Sequence, residues 1–301
     1  MKGFISFLIA IIQMIIFSSC HHEFYKSGSL NKEYVDANGH LMLLGRCTKQ
    51  RLTQEPFKAW FTKNYDEYTV DTATAEKFRS LLADKQIRIF MGTWCGDSRR
   101  EVPRMFKILD FCGVPSTRIQ LIMLNNADSF YKQDPAHDER GMNIHRVPDL
   151  IVMDHKKEIG RIVESPVVSL ENDLLKILRE EPYAPHYKAV TLLIELFKNV
   201  PFDSIGDGSA ELSDKLSRLS SGVGELNTYG YVLMAAGEMQ KAKIVFHLNT
   251  IIYPKNANVF DSFGEYYLKS GNTALARKNY EKVLEIEPGN ENAKKMIDQM
   301  K

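Results

Sequence analysis

Apolar and polar positions along this chain change their period twice. "TATAEKFRSLLAD" (72–84) carries apolar residues at helical spacing. "QIRIFM" (86–91) is a short β-rich run stopped by Gly92. "DSRREVPRMFKILDFCG" (97–113) predicts a helix, with small and acidic residues at its start and Gly113 as its stop signal. "RIQLIML" (118–124) predicts a second strand. "DLIVMDHKKEIGRIVE" (149–164) predicts a hairpin turning near Asp154–Lys157, and "SLENDLLKILREE" (169–181) a closing helix. Strand, helix, strand, hairpin and helix in that order fit an α/β domain whose helices cover a mixed sheet. After "EEPYAPHYK" (180–188) strand signals disappear and only helical spacing continues.

One stretch breaks the pattern. "NNADSFYKQDPAHDERGMNIHR" (125–146) separates the second strand from the hairpin. Its polarity predicts a solvated loop with a short helix. Asp128, Asp134, His137, Asp138, Glu139 and His145 lie in it without metal-ligand spacing, and His145 could equally border the active site.

The 301 residues, 44% of them hydrophobic, suffice for about two domains. Lysine and arginine total 39 against 38 acidic residues, so no charged field points to nucleic acid. The four cysteines, Cys20, Cys47, Cys95 and Cys112, are too few for a disulfide scaffold and show no paired metal spacing. Neither a metal nor a cofactor is expected.

The chain opens with "MKGFISFLIAIIQMIIFSSC": one lysine, an apolar run from Phe4 to Phe17, then small residues before Cys20. The run is shorter than the roughly 20 residues a membrane span needs, and it contains Gln13. It reads as a secretory signal. "FSSC" resembles the lipobox of bacterial lipoproteins, with Phe17 where that family prefers leucine. The resemblance implies a signal peptide over 1–19, cleavage before Cys20 and acylation of that residue. The polar segment 20–39 would then be a linker tethering the protein to the membrane, facing the periplasm or the cell surface. Disulfide chemistry is permitted in such a compartment.

"GTWCGDS" (92–98) is the stretch richest in candidate chemistry. Cys95 would sit just past a strand and at a helix start, where unpaired N–H groups and the helix dipole favour an anionic sulfur. Arg99 and Arg100 add positive potential there, Asp97 opposes them, and Ser98 could donate a hydrogen bond to the sulfur. "FMGTWCGDS", Pro103, "RVPDLIV" and "EIGRIVE" together resemble the thioredoxin superfamily over about 85–181. "GTWCGDSRREVPR" and "GRIVESPVVSLENDL" look like a group of secreted thioredoxin-like proteins of Bacteroidetes. That group also has a segment like 43–71, which puts the domain at 40–181.

The resemblance makes Cys95 the nucleophile behind Trp94. It makes Val147-Pro148 the cis-proline edge against which a substrate segment docks. The sequence also departs from the family. Ser98 occupies the resolving-cysteine position, and Ile89 stands where a buried acid often helps that cysteine. Cys112 lies a helix length away and is expected as packing, while Cys47 stays open as a resolving thiol. Cys95 and Ser98 are therefore the catalytic candidates, and Trp94, Val147 and Pro148 the substrate-binding ones.

In the C-terminal part, Gly230 and Gly264 are 34 residues apart, as are Ala242 and Ala276, Phe246 and Tyr280, and Pro254 and Pro288. This period and these residue types resemble the tetratricopeptide repeat. The expected division is a helical connector over 182–222, two repeats over 223–289 and a capping helix over 290–301. The fold class is thus a thioredoxin-like α/β domain followed by an all-α repeat solenoid. The function that follows is envelope thiol–disulfide exchange through mixed disulfides of Cys95, with thiol- or disulfide-containing envelope proteins or small thiols as partners. The alternative is a non-catalytic envelope scaffold that binds a protein partner on its repeats.

Overall fold

A computed structural model describes residues 30–205 and 210–300. The signal segment and the lipidation candidate Cys20 lie outside the described residues. No helix among the described residues is long and apolar enough to cross a membrane.

The N-terminal part is a six-stranded mixed sheet: β1 (Lys32–Val35), β2 (Leu41–Cys47), β3 (Lys85–Met91), β4 (Ile119–Met123), β5 (Asp149–Asp154) and β6 (Lys157–Val163). The spatial order is β1-β2-β4-β3-β5-β6, with β3 and β4 parallel and the other neighbours antiparallel. The helices are α1 (Lys49–Leu52), α2 (Lys58–Asp66), α3 (Thr72–Arg79), α4 (Gly96–Phe111) and α5 (Leu170–Leu178).

Alternation along the strands gives the sheet two apolar faces. Ile87, Ile89 and Met91 of β3 share one core with Phe61 of α2, Phe78 of α3, Phe106 of α4 and Leu174 of α5. Phe90 points the other way and joins Ile122, Ile151 and Met153. That second face is covered by Ile144 and Val147, with Met142 packed at the margin. Residues 125–146 are therefore not the solvated loop that their polarity predicts. Their polar side chains fold onto their own backbone: Asn125 Oδ1 accepts from Ala127 N, and Asp134 accepts from the amides of Ala136 and Asp138. This frees the sparse apolar residues to seal the sheet.

The segment ahead of β3 belongs to the same domain. Buried Glu171 of α5 accepts from Tyr68 OH and from Asp71 N. The proposed linker over 20–39 gives way to sheet at Lys32, because β1 pairs with β2. β1 has no buried face, so its sequence carries no alternation to reveal it.

The second part is all helical: α6 (Lys188–Asn199), α7 (Phe202–Ile205), α8 (Ala210–Leu219), α9 (Val223–Ala235), α10 (Met239–Ile252), α11 (Ala257–Lys269), α12 (Thr273–Ile286) and α13 (Glu291–Gln299). One core runs through it, from Leu193 of α6 and Leu216 of α8 to Phe246 of α10 and Tyr280 of α12. Helices α9 and α11 both end on a left-handed glycine, Gly237 and Gly271, at φ +77° and +79°. At each stop an amide bonds back to the helix, Glu238 N to Leu233 O and Asn272 N to Tyr267 O. The helix pairs α9/α10 and α11/α12 meet where a glycine faces a ring: Gly230 against Phe246, and Gly264 against Tyr280.

The two contacts differ in tightness. A Cβ at Gly230 would stand 2.7 Å from the Phe246 ring, and one at Gly264 would stand 3.0 Å from Tyr280. Phe246 is fully buried and cannot step aside. Gly230→Ala is expected to lose about 1–2 kcal/mol, since overpacking outweighs the ~1 kcal/mol helix-propensity gain. Gly264→Ala is expected to stay within about 1 kcal/mol of neutral. Urea denaturation of the two variants checks both values.

Candidate functional site

The site begins where β3 ends. Cys95 is the N-cap of α4, with an extended backbone at φ −90° and ψ 126°, and its carbonyl accepts from Arg99 N at 3.0 Å. The turn before it is closed by Cys95 N donating to Gly92 O at 3.0 Å. Gly92 has to be a glycine because the Trp94 indole folds back over it; a Cβ there would lie 2.3 Å from the ring. Trp94 Nε1 then donates to Leu124 O at 2.9 Å, fixing the indole to the end of β4. Thr93 Oγ1 accepts from Leu43 N at 3.3 Å, and Arg99 Nε donates to Thr93 O at 2.6 Å. The turn is thus braced by β2, β4 and its own helix.

Cys95 is half-buried, and its thiol donates to Val147 O at 3.2 Å. The Val147–Pro148 peptide is cis, as is Glu55–Pro56. Pro148 O accepts from Glu164 N at 2.7 Å, and Asp149 behind it is fully buried. The chain therefore brings Trp94, Cys95, Val147 and Pro148 together. Ser98 is also present, but buried, and its oxygen accepts from Gly92 N at 3.4 Å. Its hydrogen bond fastens the helix start to β3 and does not run to the Cys95 sulfur. Arg100 is offset by Asp97 at 2.8 Å and by buried Glu101 at 2.5 Å. Of the two arginines after Cys95, Arg99 alone spends its hydrogen bond on a neutral carbonyl.

The other described cysteines are free thiols placed elsewhere. Cys47 lies in the core on the helix-covered face of the sheet, whereas Cys95 packs against the opposite face. Burial pushes the Cys47 thiol up to about 12, although an Asn31 hydrogen bond and Arg51 oppose it. Cys112 caps the far end of the 16-residue helix α4, about 24 Å along the axis at 1.5 Å per residue. Burial pushes Cys112 up to about 11. Ile89 is wholly buried among apolar neighbours, so no acid lies beneath the site at that position.

A charged rim that the sequence pattern does not mark flanks Val147. Arg146, just before Val147, donates to Gly224 O of α9 at 2.8 Å and lies 4.7 Å from the Tyr187 ring centroid. It also stands 3.7 Å from Glu164, whose carboxylate accepts from Tyr187 OH. Tyr131 and Lys132 close the rim, with Lys132 Nζ bonded to Tyr131 OH at 2.6 Å. Lys132, Glu164 and Tyr187 have φ values of +56°, +64° and +67°, a left-handed backbone that costs non-glycine residues and is held only where surroundings enforce it. Arg146 had a signal in its adjacency to Val147-Pro148. Lys132, Glu164 and Tyr187 had none, since nothing in their local pattern says that they converge.

His145 lies behind this rim and does not line the Cys95 turn. It is buried between the Tyr187 and Tyr229 rings, at 5.7 and 5.9 Å, with Nδ1 on Asn143 O at 3.2 Å. The contact joins the sheet domain to the helices, as does the Arg146–Gly224 bond. No protein-family model matches the chain, and no curated protein matches it either.

Two outcomes follow from this geometry. Gly92→Ala must displace Trp94, so a red-shifted and quenched tryptophan emission is expected together with a changed alkylation rate at Cys95. Trp60, which lies against the helix-covered core, would report little of this change. Burial pushes His145 down to about 3, so between its ordinary value near 6.5 and that value the folded state holds fewer protons than the unfolded chain. Stability from His145 is present above about pH 6.5 and is lost as the pH falls toward 3. Asp134 and Asp149, both pushed up to about 7 by burial first of all, act in the opposite sense over the acid range. His145→Phe is therefore expected to lose less of its urea midpoint than the parent between about pH 7 and pH 4.

Proposed function

We propose that this chain is a thioredoxin-like, lipid-anchored protein of the bacterial envelope that exchanges thiols and disulfides through Cys95 alone. One observation carries the reading: the thiol of a helix N-cap cysteine stands 3.2 Å from the carbonyl of the residue before a cis-proline. A disulfide-bearing segment that pairs with the backbone at Val147 would present its sulfur to Cys95. The Cys95 thiolate attacks one sulfur of that disulfide and forms the mixed disulfide; the other sulfur leaves as a thiolate and takes a proton. An external thiolate then attacks the partner's sulfur in the mixed disulfide, forming a new disulfide with it, and Cys95 leaves as a thiolate. Ser98 cannot perform this second attack, and Cys47 and Cys112 are held away from it. Small thiols such as glutathione, and cysteine-bearing envelope proteins, fit as partners.

The anchor rests on the lipobox-like approach to Cys20. For the helices, the 34-residue spacing of the Gly230–Phe246 and Gly264–Tyr280 contacts supports assigning α9–α12 to two tetratricopeptide repeats capped by α13. A second reading, an adaptor working through those repeats, has one observation in its favour. A cleft of about 340 Å³ lies between residues 128–131 and helices α9 and α11, lined by Asp128, Tyr131, Tyr231, Glu265 and Lys269.

The exchange reading is tested by incubating the native protein with oxidised glutathione and following intact mass and adduct position. Cys95 is expected to take the adduct at least about tenfold faster than Cys112, whose thiol partial burial pushes up to about 11 and so keeps protonated near neutral pH. Equal rates at the two cysteines would end the exchange reading. Partner capture unchanged by Cys95→Ala would then favour the adaptor.

A further inference from the structure

Away from the Cys95 turn, the seam between the sheet's cover and the helices leaves a cavity of about 360 Å³. Residues 132–144 form one side of it, and the end of α9 with the start of α10 forms the other. That volume lies at the small end of the roughly 300–1,000 Å³ that small-molecule pockets span. Ile144 on one side, and Val232 and Leu233 on the other, give it apolar walls. Charged groups of unequal number are set around them: Lys132, Arg140 and Lys241 against Glu139 and Glu238.

Both carboxylates are already engaged. Glu139 accepts from Asp134 N and meets the His137 ring, each at 3.1 Å, and Glu238 pairs with Lys241 at 2.9 Å. The ion pairs of the cavity wall, His137–Glu139 and Lys241–Glu238, leave out Lys132 and Arg140. Arg140 is exposed and hydrated, but Lys132 is only 4% exposed. A buried ammonium is costly unless a carboxylate compensates it. The chain nevertheless fixes Lys132 there. Its amide donates to Asn125 O and Asn125 N donates to Gln133 O, both at 2.9 Å, while Lys132 holds a left-handed φ of +56°. Its amine bonds the neutral Tyr131 hydroxyl at 2.6 Å. Gln133 also lines the cavity, and its buried amide nitrogen has no partner among the described residues. The wall thus lacks one negative charge.

We infer that this cavity binds a small carboxylate with an apolar body, whose charge compensates Lys132. The carboxylate supplies the charge that the wall lacks, and the aliphatic part lies against Ile144, Val232 and Leu233. Burial first of all pushes the Lys132 amine down to about 7; Arg146 adds to that push, and Cys95 and Glu164 oppose it. A bound anion favours the ammonium form and so gains from the contact. The other simple ligand chemistries fit worse. An amine would add a second positive charge beside Lys132, an alcohol would leave the ammonium uncompensated, and inorganic phosphate would leave the apolar walls unfilled. The site makes no use of the Cys95 sulfur, so it stands or falls apart from the exchange reading.

Equilibrium dialysis of the full protein against octanoate, octylamine and 1-octanol tests this. Octanoate is expected to bind saturably, at least about tenfold tighter than either comparator, because only it compensates the buried charge. Lys132→Met is expected to weaken octanoate at least about tenfold and to leave 1-octanol unchanged. Octylamine or 1-octanol binding as tightly as octanoate would overturn the inference, and so would octanoate binding unchanged in folded Lys132→Met. If that variant does not fold, Ala235→Leu decides the matter. Ala235 is half-buried at the end of α9, and a larger side chain there fills the cavity. Octanoate binding is then expected to fall at least about tenfold, and unchanged binding would overturn the site. N-acetylleucine presents the same carboxylate beside a peptide group. Saturable binding of either acid supports the site, and the tighter of the two tells a free fatty acid from a peptide terminus. Absence of saturable binding by both would overturn it.

Discussion

The constraint on which this molecule depends is that the second apolar face of its sheet must be covered, and that among the described residues its apolar cluster draws no residue from a helix interior. Phe90, Ile122, Ile151 and Met153 form that face, and leaving them in water would forgo roughly 1.5–3 kcal/mol apiece. Residues 125–147 supply the cover with only a few apolar side chains, so the segment drags polar groups inside with it. Asp134 is satisfied by amides of its own loop and Lys132 by a tyrosine hydroxyl, while His145 bonds Asn143 through Nδ1 and packs between two tyrosine rings with its Nε2 left without a partner among the described residues. The same segment ends at Val147, whose carbonyl holds the Cys95 thiol. Sealing the sheet and building the site are therefore one structural event.

That coupling extends into the helices. Arg146 bonds to the first turn of α9, Tyr229 of α9 packs on His145, and Glu225 of α9 accepts from Val190 N. Glu225 also accepts from Ser221 N, so a single buried carboxylate organises the starts of α6 and α9. The helical part is thereby fastened to the residues flanking Val147-Pro148 and forms a wall of the site. Under the proposed exchange, that wall would restrict which partners reach the sulfur, a restriction that a bare sheet domain would not impose.

Much of the sheet domain was legible because its strands and helices obey strong periodicities. The runs at 86–91, 118–124 and 149–164, and the helix from 97, fall on β3, β4, the β5–β6 hairpin and α4. The immediate neighbourhood of Cys95 was legible as well, since Trp94, Val147 and Pro148 do gather there. β1 was not, because an exposed edge strand has no apolar alternation to display. The packed state of residues 125–146 was hidden for a different reason. Asp, Asn and Gln in a loop look solvated by composition, and only their bonds to nearby backbone amides reveal that they are inside. Ser98 shows the limit of spacing alone: it sits one turn from Cys95 as expected, yet its oxygen is taken by Gly92.

A thiol without a resolving partner changes what the surroundings have to provide. In a dithiol site the second cysteine ends the mixed disulfide, so the first can afford a hydrogen bond that holds it neutral at rest. Among the described residues neither Cys47 nor Cys112 lies beside Cys95, so under the proposed exchange a mixed disulfide there would last until an external thiol reached it. The rim of Arg146, Glu164 and Tyr187 beside Val147 is fixed by its own ion pair, hydrogen bond and ring contact. Access, rather than a second sulfur, would then govern how long a partner stays attached, and it is set by residues that the sheet's second apolar face forced into place.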